Sequence, residues 1–330
     1  MQTYSTSPIQ LEEIHSRSVE VRGPFNPRTT LHKPSHFPSP FDVVGDNSYS
    51  FMTNVSGHLV GGRAAFEEHE PVVDLQILLP SDQTELDLDA ASTEIARRLG
   101  LDLELQNYED MWRGDSILAG LPRELCGARP SSPFSLYELL VICTVLQNTT
   151  IRRTVQMITT LAAQLGRRCS FPSGEQLSSF WPPSSVVGLG EPALRDLKLG
   201  YRAKTLARAA EHFIGAPGVE ERLLQVPSDS LGLRRELSAI YGVGPASVGY
   251  IMFEWFKLPN EFSHVSPWEL KILSKLLFDR MDVPPAELIE FAHERWDPYT
   301  MVAVHAIFES IFWRRHRGYG PAWLDELIRL

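Results

Sequence analysis

Two titratable side chains interrupt an otherwise apolar stretch near the C-terminal end, Thr300-Met-Val-Ala-Val-His305-Ala-Ile-Phe-Glu309-Ser-Ile-Phe-Trp313. Four residues apart, His305 and Glu309 share one helical face, where they form either a proton-transfer couple or a buried ion pair. A second group lies in Phe262-Ser-His264-Val-Ser266-Pro267-Trp268-Glu269-Leu-Lys271. Ser266, Pro267 and Glu269 spell a capping box with proline at the first helical position. The Glu269 carboxylate is thus either the capping partner of the Ser266 amide or an acid–base group. His264, titratable near neutral pH, either orients water or rests as a satisfied loop histidine. A third group is Leu237-Ser-Ala-Ile-Tyr-Gly242-Val-Gly244-Pro-Ala-Ser-Val-Gly-Tyr-Ile251, a helix, a Gly-Val-Gly hairpin and a new helix opening at Pro245. Gly242, Val243 and Gly244 let backbone approach backbone, and the free amides of the new helix can hold a phosphate oxygen; a plain helix–turn–helix corner reads the same way.

Helical periodicity has to position these groups. It begins near residue 86 with Ala90–Leu99, closed by Gly100, and continues through Phe134–Leu146 and Ile151–Leu165, closed by Gly166. Further helices are expected near 173–181, 191–197, 202–213, 219–225, 230–240, 245–257, 267–278, 284–294 and 298–315. Before them, Val19–Val21, Ser50–Val55 and Val72–Leu79 read as strands, separated by turn residues such as Asp46-Asn47 and Gly61-Gly62. The expected fold is mostly α with a small N-terminal antiparallel β-sheet (α+β). Its division is a loosely ordered tail at 1–19, a small β domain at 20–88, and a helical body at 89–330 with two lobes and a cleft between them.

Composition narrows the classes. Three cysteines, Cys126, Cys143 and Cys169, have no paired spacing, so neither a disulfide framework nor a metal site is indicated. No apolar run reaches the roughly 18 residues that span a bilayer, and the polar N-terminal stretch does not read as a signal peptide, so an intracellular, cytoplasmic setting is expected. The net charge of −10 argues against a polyanionic partner, but the charge is uneven. Residues 1–115 hold 8 Lys and Arg against 19 Asp and Glu, leaving 23 against 22 for the remainder. Within that neutral part Arg152/Arg153, Arg167/Arg168, Lys198–Arg202–Lys204–Arg208 and Arg314/Arg315/Arg317 are locally basic, a phosphate track or simply a solvated face.

The hairpin resembles that of the helix-hairpin-helix DNA glycosylase superfamily (HhH-GPD), nearest to its 8-oxoguanine and 3-methyladenine branches. The resemblance extends over about residues 90–315. Asp110–Leu118, Gly127-Ala-Arg129 and Phe134–Thr150 are similar to the entry into that superfamily's first helical layer, and Leu197-Lys-Leu-Gly-Tyr-Arg-Ala-Lys204 resembles a loop and helix of the 8-oxoguanine branch. The resemblance implies a monofunctional glycosylase of base excision repair that flips a damaged or modified base out of duplex DNA and hydrolyses its N-glycosidic bond. Gln147 and Asn148 then fill the vacated stack, Arg153 and Arg202 read the widowed base, and Tyr201 wedges into the duplex. Lys204 and, in the hairpin, Gly242, Val243, Gly244 and Ala246 complete the DNA-binding set. His305, Glu309, Trp268, Tyr250 and Phe308 line the base pocket. Active members carry an aspartate where Ser266 stands here, and bifunctional members a lysine where Ala246 stands, so strand cleavage is not expected. Glu269 or His264 would supply the missing catalytic group, with Ser266 at the aspartate's place. Otherwise the chain binds lesions without cutting. The expected partner is double-stranded DNA, the expected state a monomer, and no cofactor is expected beyond a monovalent cation at the hairpin. Repair and defence against modified foreign DNA are both open roles.

Overall fold

The computed structural model describes residues 7–68, 70–83, 85–226 and 231–328. Strands β1 (Ile9–Glu20), β2 (Asp42–Val44), β3 (Ser48–Val55), β4 (His58–Phe66), β5 (Val72–Pro80), β6 (Arg168–Ser170) and β7 (Gln176–Ser178) form one sheet in the order β2-β3-β4-β5-β1-β6-β7. The neighbours pair antiparallel except β1 and β6, which run parallel with Ile9 opposite Cys169. Helices α1 (Pro27–Leu31), α2 (Leu88–Arg98), α3 (Tyr108–Gly114), α4 (Leu136–Leu146), α5 (Ile151–Leu165), α6 (Pro183–Asp196), α7 (Arg202–Gly215), α8 (Val219–Leu224), α9 (Leu231–Ser238), α10 (Pro245–Glu254), α11 (Pro267–Phe278), α12 (Pro285–Trp296), α13 (Thr300–His316) and α14 (Ala322–Leu327) complete the chain.

The fold is mixed α+β, and the sheet is larger than a small N-terminal one: seven strands among the described residues, two of them supplied by the helical part. Three sequence expectations change accordingly. Residues 9–18 of the expected loose tail join Val19 and Glu20 in a twelve-residue strand; its faces are mostly solvated, so the apolar alternation that announces a strand is weak. The remainder of that expected tail, 1–6, lies outside the described residues, as does position 230 of the helix expected at 230–240. Gly61-Gly62, read as a turn, lies inside β4 opposite Met52 and Phe51. A Cβ at Gly62 would overlap the Phe51 ring, so these glycines serve close packing rather than reversal. The segment 173–181, expected as a helix, instead holds the β6–β7 turn and β7. Gly174 there takes φ 100°, a left-handed conformation that suits a turn.

Apolar faces sort the helices into two layers. One core joins α3, α11, α12 and α13, with Phe253 of α10, around Trp112, Leu288 and Trp296; another joins α4, α5, α6 and α7 around Val141, Ile158, Leu161 and Leu206, and through α4 continues into α8, α9 and α10 around Leu140, Leu223, Leu237 and Met252. Buried polar groups tie the N-terminal part to α4 and α10. Glu138, the capping-box residue of α4, accepts from Thr53 Oγ1 at 2.7 Å and from the Asn54 amide at 2.9 Å. Lys33, in the segment after α1, pairs with Glu254 at the end of α10 at 2.8 Å, both nearly sealed from solvent. No helix among the described residues is long and apolar enough to cross a membrane.

Candidate functional site

The hairpin forms as its residues require. α9 leads into Gly242, whose φ of 83° is left-handed, and α10 starts at Pro245 with Gly244 as its N-cap. A Cβ at Gly242 would overlap Thr205 of α7, so the glycine lets α7 and the hairpin close together. Gln147, the C-cap of α4, donates from Nε2 to the Gly242 carbonyl at 2.9 Å. One of the two lone pairs of that carbonyl is thus taken. Asn148 follows in the left-handed region at φ 45°, which asparagine tolerates after a helix end. Its Nδ2 donates to Tyr201 Oη at 3.4 Å. The two loops and the hairpin thus form one surface, with Tyr201 49% exposed at its edge.

Arg202 and Arg153 behave differently from the expectation. Arg202 is buried, and its guanidinium donates to the Gln147 carbonyl, to the Asn148 carbonyl at 3.3 Å, and stacks on the Tyr201 ring. Arg153, half-buried, donates to the Lys198 carbonyl. In this state both guanidiniums hold protein loops in place of an orphaned base. Lys204 lies with its Nζ 5.4 Å from the Tyr241 ring centroid, and Tyr241 is 49% exposed beside the hairpin. Nothing in the spacing sets Tyr241 apart from an ordinary aromatic before a turn.

Behind this surface a cavity of about 510 Å³ opens between the two helical layers. Gln147, Asn148 and Ala246 form part of its rim, together with His264, Ser266 and Glu269 at the start of α11. Tyr250, Phe253, Trp268 and Phe308 give it aromatic walls, Trp268 and Phe308 packing edge to face at 5.7 Å. The capping box is complete: the Glu269 amide donates to Ser266 Oγ at 3.3 Å, and Glu269 Oε2 accepts from the Ser266 amide at 3.0 Å. Its other oxygen, Oε1, takes no hydrogen bond among the described residues. His264 is exposed at the rim.

His305 and Glu309 both line the deep end of the cavity, and they are not paired to each other. Glu309 accepts from Ser35 Oγ, while its Oε2 and the His305 Nε2 are buried without a partner. Burial lifts the Glu309 carboxyl to about 7. Burial, aided by the nearby Lys33 charge, pushes His305 down to about 3, so its ring is neutral at physiological pH. The cavity is also lined by Ser35, His36 and Phe37 from the segment after α1 and by Asp42 of β2 and Tyr49 of β3. Tyr49 Oη donates to Asp42 Oδ2 at 2.7 Å, and burial raises the Asp42 carboxyl. Ser35, His36 and Phe37 give no sequence signal, since the Pro-rich segment 34–40 has no periodicity. No Lys or Arg lines the cavity among the described residues, and no cluster of three or more His, Cys, Asp or Glu suited to a metal occurs among them.

This fold, with its hairpin and cavity, is similar to that of solved DNA glycosylases. Among solved structures, the 3-methyladenine DNA-glycosylase from Archaeoglobus fulgidus superposes with a TM-score of 0.71 over 91% of this chain and 98% of that one, at 17% identity. MBOgg1 in complex with a low-affinity DNA ligand gives 0.68 over 93% and 98%, at 19%, and the apo 8-oxoguanine glycosylase/lyase of Clostridium acetobutylicum 0.64 over 91% and 98%, at 16%. At these identities the likeness is one of fold. No family model and no curated protein matches the chain.

Proposed function

We propose that this protein is a monofunctional DNA glycosylase acting on a damaged or modified base in duplex DNA. The observation that carries the reading is a convergence: the 147–148 loop, Tyr201 and the hairpin form one surface, and the 147–148 loop, the start of α10 and the start of α11 border the same cavity. The exposed surface offers an intercalating ring in Tyr201 and a donor–acceptor amide in Asn148 to fill the vacated stack. The hairpin amides and the start of α10 meet phosphate oxygens. The flipped base enters between Trp268 and Phe308 on one side and Tyr250 and Phe253 on the other.

As the C1′–N bond breaks, its electron pair goes to the base nitrogen and positive charge develops on the sugar. Glu269, pinned through Oε2 by its own helix cap, keeps Oε1 to stabilise that charge and to accept a proton from the water that attacks C1′. Glu309, with its carboxyl near 7, is protonated in part at neutral pH and can donate a hydrogen bond to what the base carries at the deep end, while the departing base takes its proton from solvent water. His264 at the rim orients the entering water. Ala246 at the start of α10 and a lining free of lysine give no amine for a Schiff base, so the strand is left uncut.

The test is abasic-site formation across duplexes carrying oxidised, alkylated and enzymatically modified bases. The wild type forms abasic sites on at least one class, borohydride traps no covalent adduct, and Glu269→Gln lowers turnover by about 100- to 1,000-fold while duplex binding persists. The completed capping box, which employs Glu269 structurally, favours a second reading: a modified-base sensor without turnover. Selective binding by the wild type with no abasic product on any duplex would establish the sensor in place of the enzyme.

A further inference from the structure

The deep end of the cavity lies beyond what a flat ring needs. A cavity of about 510 Å³ falls in the range that encloses a whole drug-sized ligand, whereas a nucleobase has only about ten non-hydrogen atoms. The aromatic walls Trp268, Phe308 and Tyr250 belong to the helices, and Trp268 and Tyr250 stand near the start of α11 and the start of α10, where the base enters. The polar groups come from elsewhere, His36 from the segment after α1, Asp42 from β2, and His305 and Glu309 from α13. Two of their atoms, His305 Nε2 and Glu309 Oε2, are buried and unpartnered, and buried polar atoms left unpaired in a folded protein ask for a ligand or water.

The charge on this wall selects the ligand's chemistry. No cationic side chain lines the cavity among the described residues, and the nearby Lys33 is spent on Glu254, so an anionic group finds no counter-charge. The Lys33 charge is nevertheless felt by both His305 and Glu309, which opposes a cation at the same place. Neutral imidazole and carboxyls that can be protonated supply both donors and acceptors, the complement of hydroxyl groups.

Resting on the glycosylase reading of the same site, we infer that the substrate is a nucleobase enlarged by an uncharged, hydroxyl-bearing substituent that docks against His36, Asp42, His305 and Glu309. The ring stacks between the helical aromatics and the substituent reaches the wall supplied by the sheet-side segment. Asp42 and His36 are then specificity residues remote from the glycosidic bond.

The experiment uses the full chain and a series of duplexes with one ring and one variable substituent: cytosine bearing 5-methyl, 5-hydroxymethyl, the hexosyl ether of 5-hydroxymethyl, 5-aminomethyl or 5-carboxyl. Duplexes with 8-oxoguanine, 3-methyladenine or a tetrahydrofuran abasic analogue accompany them. Binding and base release are both measured. The expected result is a preference on the order of 100-fold or more for the hydroxyl-bearing members over 5-methyl, because hydrogen-bonding pockets reject analogues that leave them unpaired. Asp42→Ala and the near-isosteric Asp42→Asn reduce that preference while keeping affinity for the abasic analogue. Equal or better handling of the methyl, amino, carboxyl, 8-oxoguanine or 3-methyladenine duplexes overturns the inference and leaves the glycosylase reading standing. Selective binding of hydroxyl-bearing duplexes without base release supports the inference and removes the enzyme. Failure to bind the abasic analogue and every other duplex removes both.

Discussion

The surface at 147–148, 201–204 and 241–246 and the deep wall at Ser35, His36, His305 and Glu309 solve opposite problems. On the surface, side chains are open to solvent or tied to backbone carbonyls, as Gln147 is to Gly242 and Arg202 to Gln147 and Asn148. At the wall, His305 and Glu309 are sealed from water, and one polar atom of each has nothing to bond. The first region is shaped by backbone geometry, which any duplex can meet. The second carries unsatisfied chemistry, which only a particular ligand can meet. In this fold grip and choice are therefore separable, and substitutions should divide along the same line.

The largest effect falls on the wall's support. Lys33→Met leaves Glu254 buried without its partner, which costs about 3–5 kcal/mol. A urea melt should show that loss, and Lys33→Met combined with Glu254→Leu should recover most of it. A wall held by that ion pair predicts that the single variant also loses base release beyond its loss of folded protein; unchanged release per folded molecule would detach Lys33 from the site.

Next is the protonation of Glu309. Its folded value near 7 lies above the ordinary 4.5, so the folded chain binds more protons between these values, and this group's contribution to stability falls as pH rises from 4.5 through 7. Glu309→Gln should therefore gain on the wild type across that window, by about 3 kcal/mol in all, and run parallel to it above. His305, held near 3 when folded, works in the opposite sense as pH falls through 6.5 and 3, but it is present in both proteins and drops out of the difference. Parallel pH profiles for the two proteins would mean that Glu309 is charged in the cavity.

Smaller effects belong to the surface. Gly242→Ala puts a side chain at a left-handed φ and against Thr205, costing about 1–3 kcal/mol of stability together with affinity for every duplex alike. Tyr201→Ala should leave stability unchanged and weaken binding to a distorted duplex by about 1–3 kcal/mol, without altering the salt slope, since no phosphate partner is lost. A changed slope, or a loss confined to one kind of base, would move Tyr201 from grip to choice.

How far the sequence revealed this follows from what each element rests on. The spans of α5 and α11 were legible to the residue because Thr150 and Ser266 cap them and their apolar faces recur at helical spacing. His305 and Glu309 stood out as polar interruptions of an apolar helix. The other half of the wall was illegible, since Ser35, His36 and Asp42 are brought there by tertiary contacts such as Ser35 with Glu309 and Lys33 with Glu254. β4 was lost because a glycine pair means a turn locally and close strand packing only once Phe51 lies across from it. Whether Arg202 reads a base or braces a loop depends on its burial, which no spacing encodes.

The parallel pairing of β1 with β6 sets a timetable for the growing chain. Residues 9 and 10 find their partners at 169 and 170, so the first strand keeps an open edge while the ribosome makes α1 to α5, a wait of roughly ten to thirty seconds at ~5–20 residues per second. During that interval the many acidic side chains of the early segment, Glu12, Glu13 and Glu20 among them, repel a neighbouring nascent copy from the same edge.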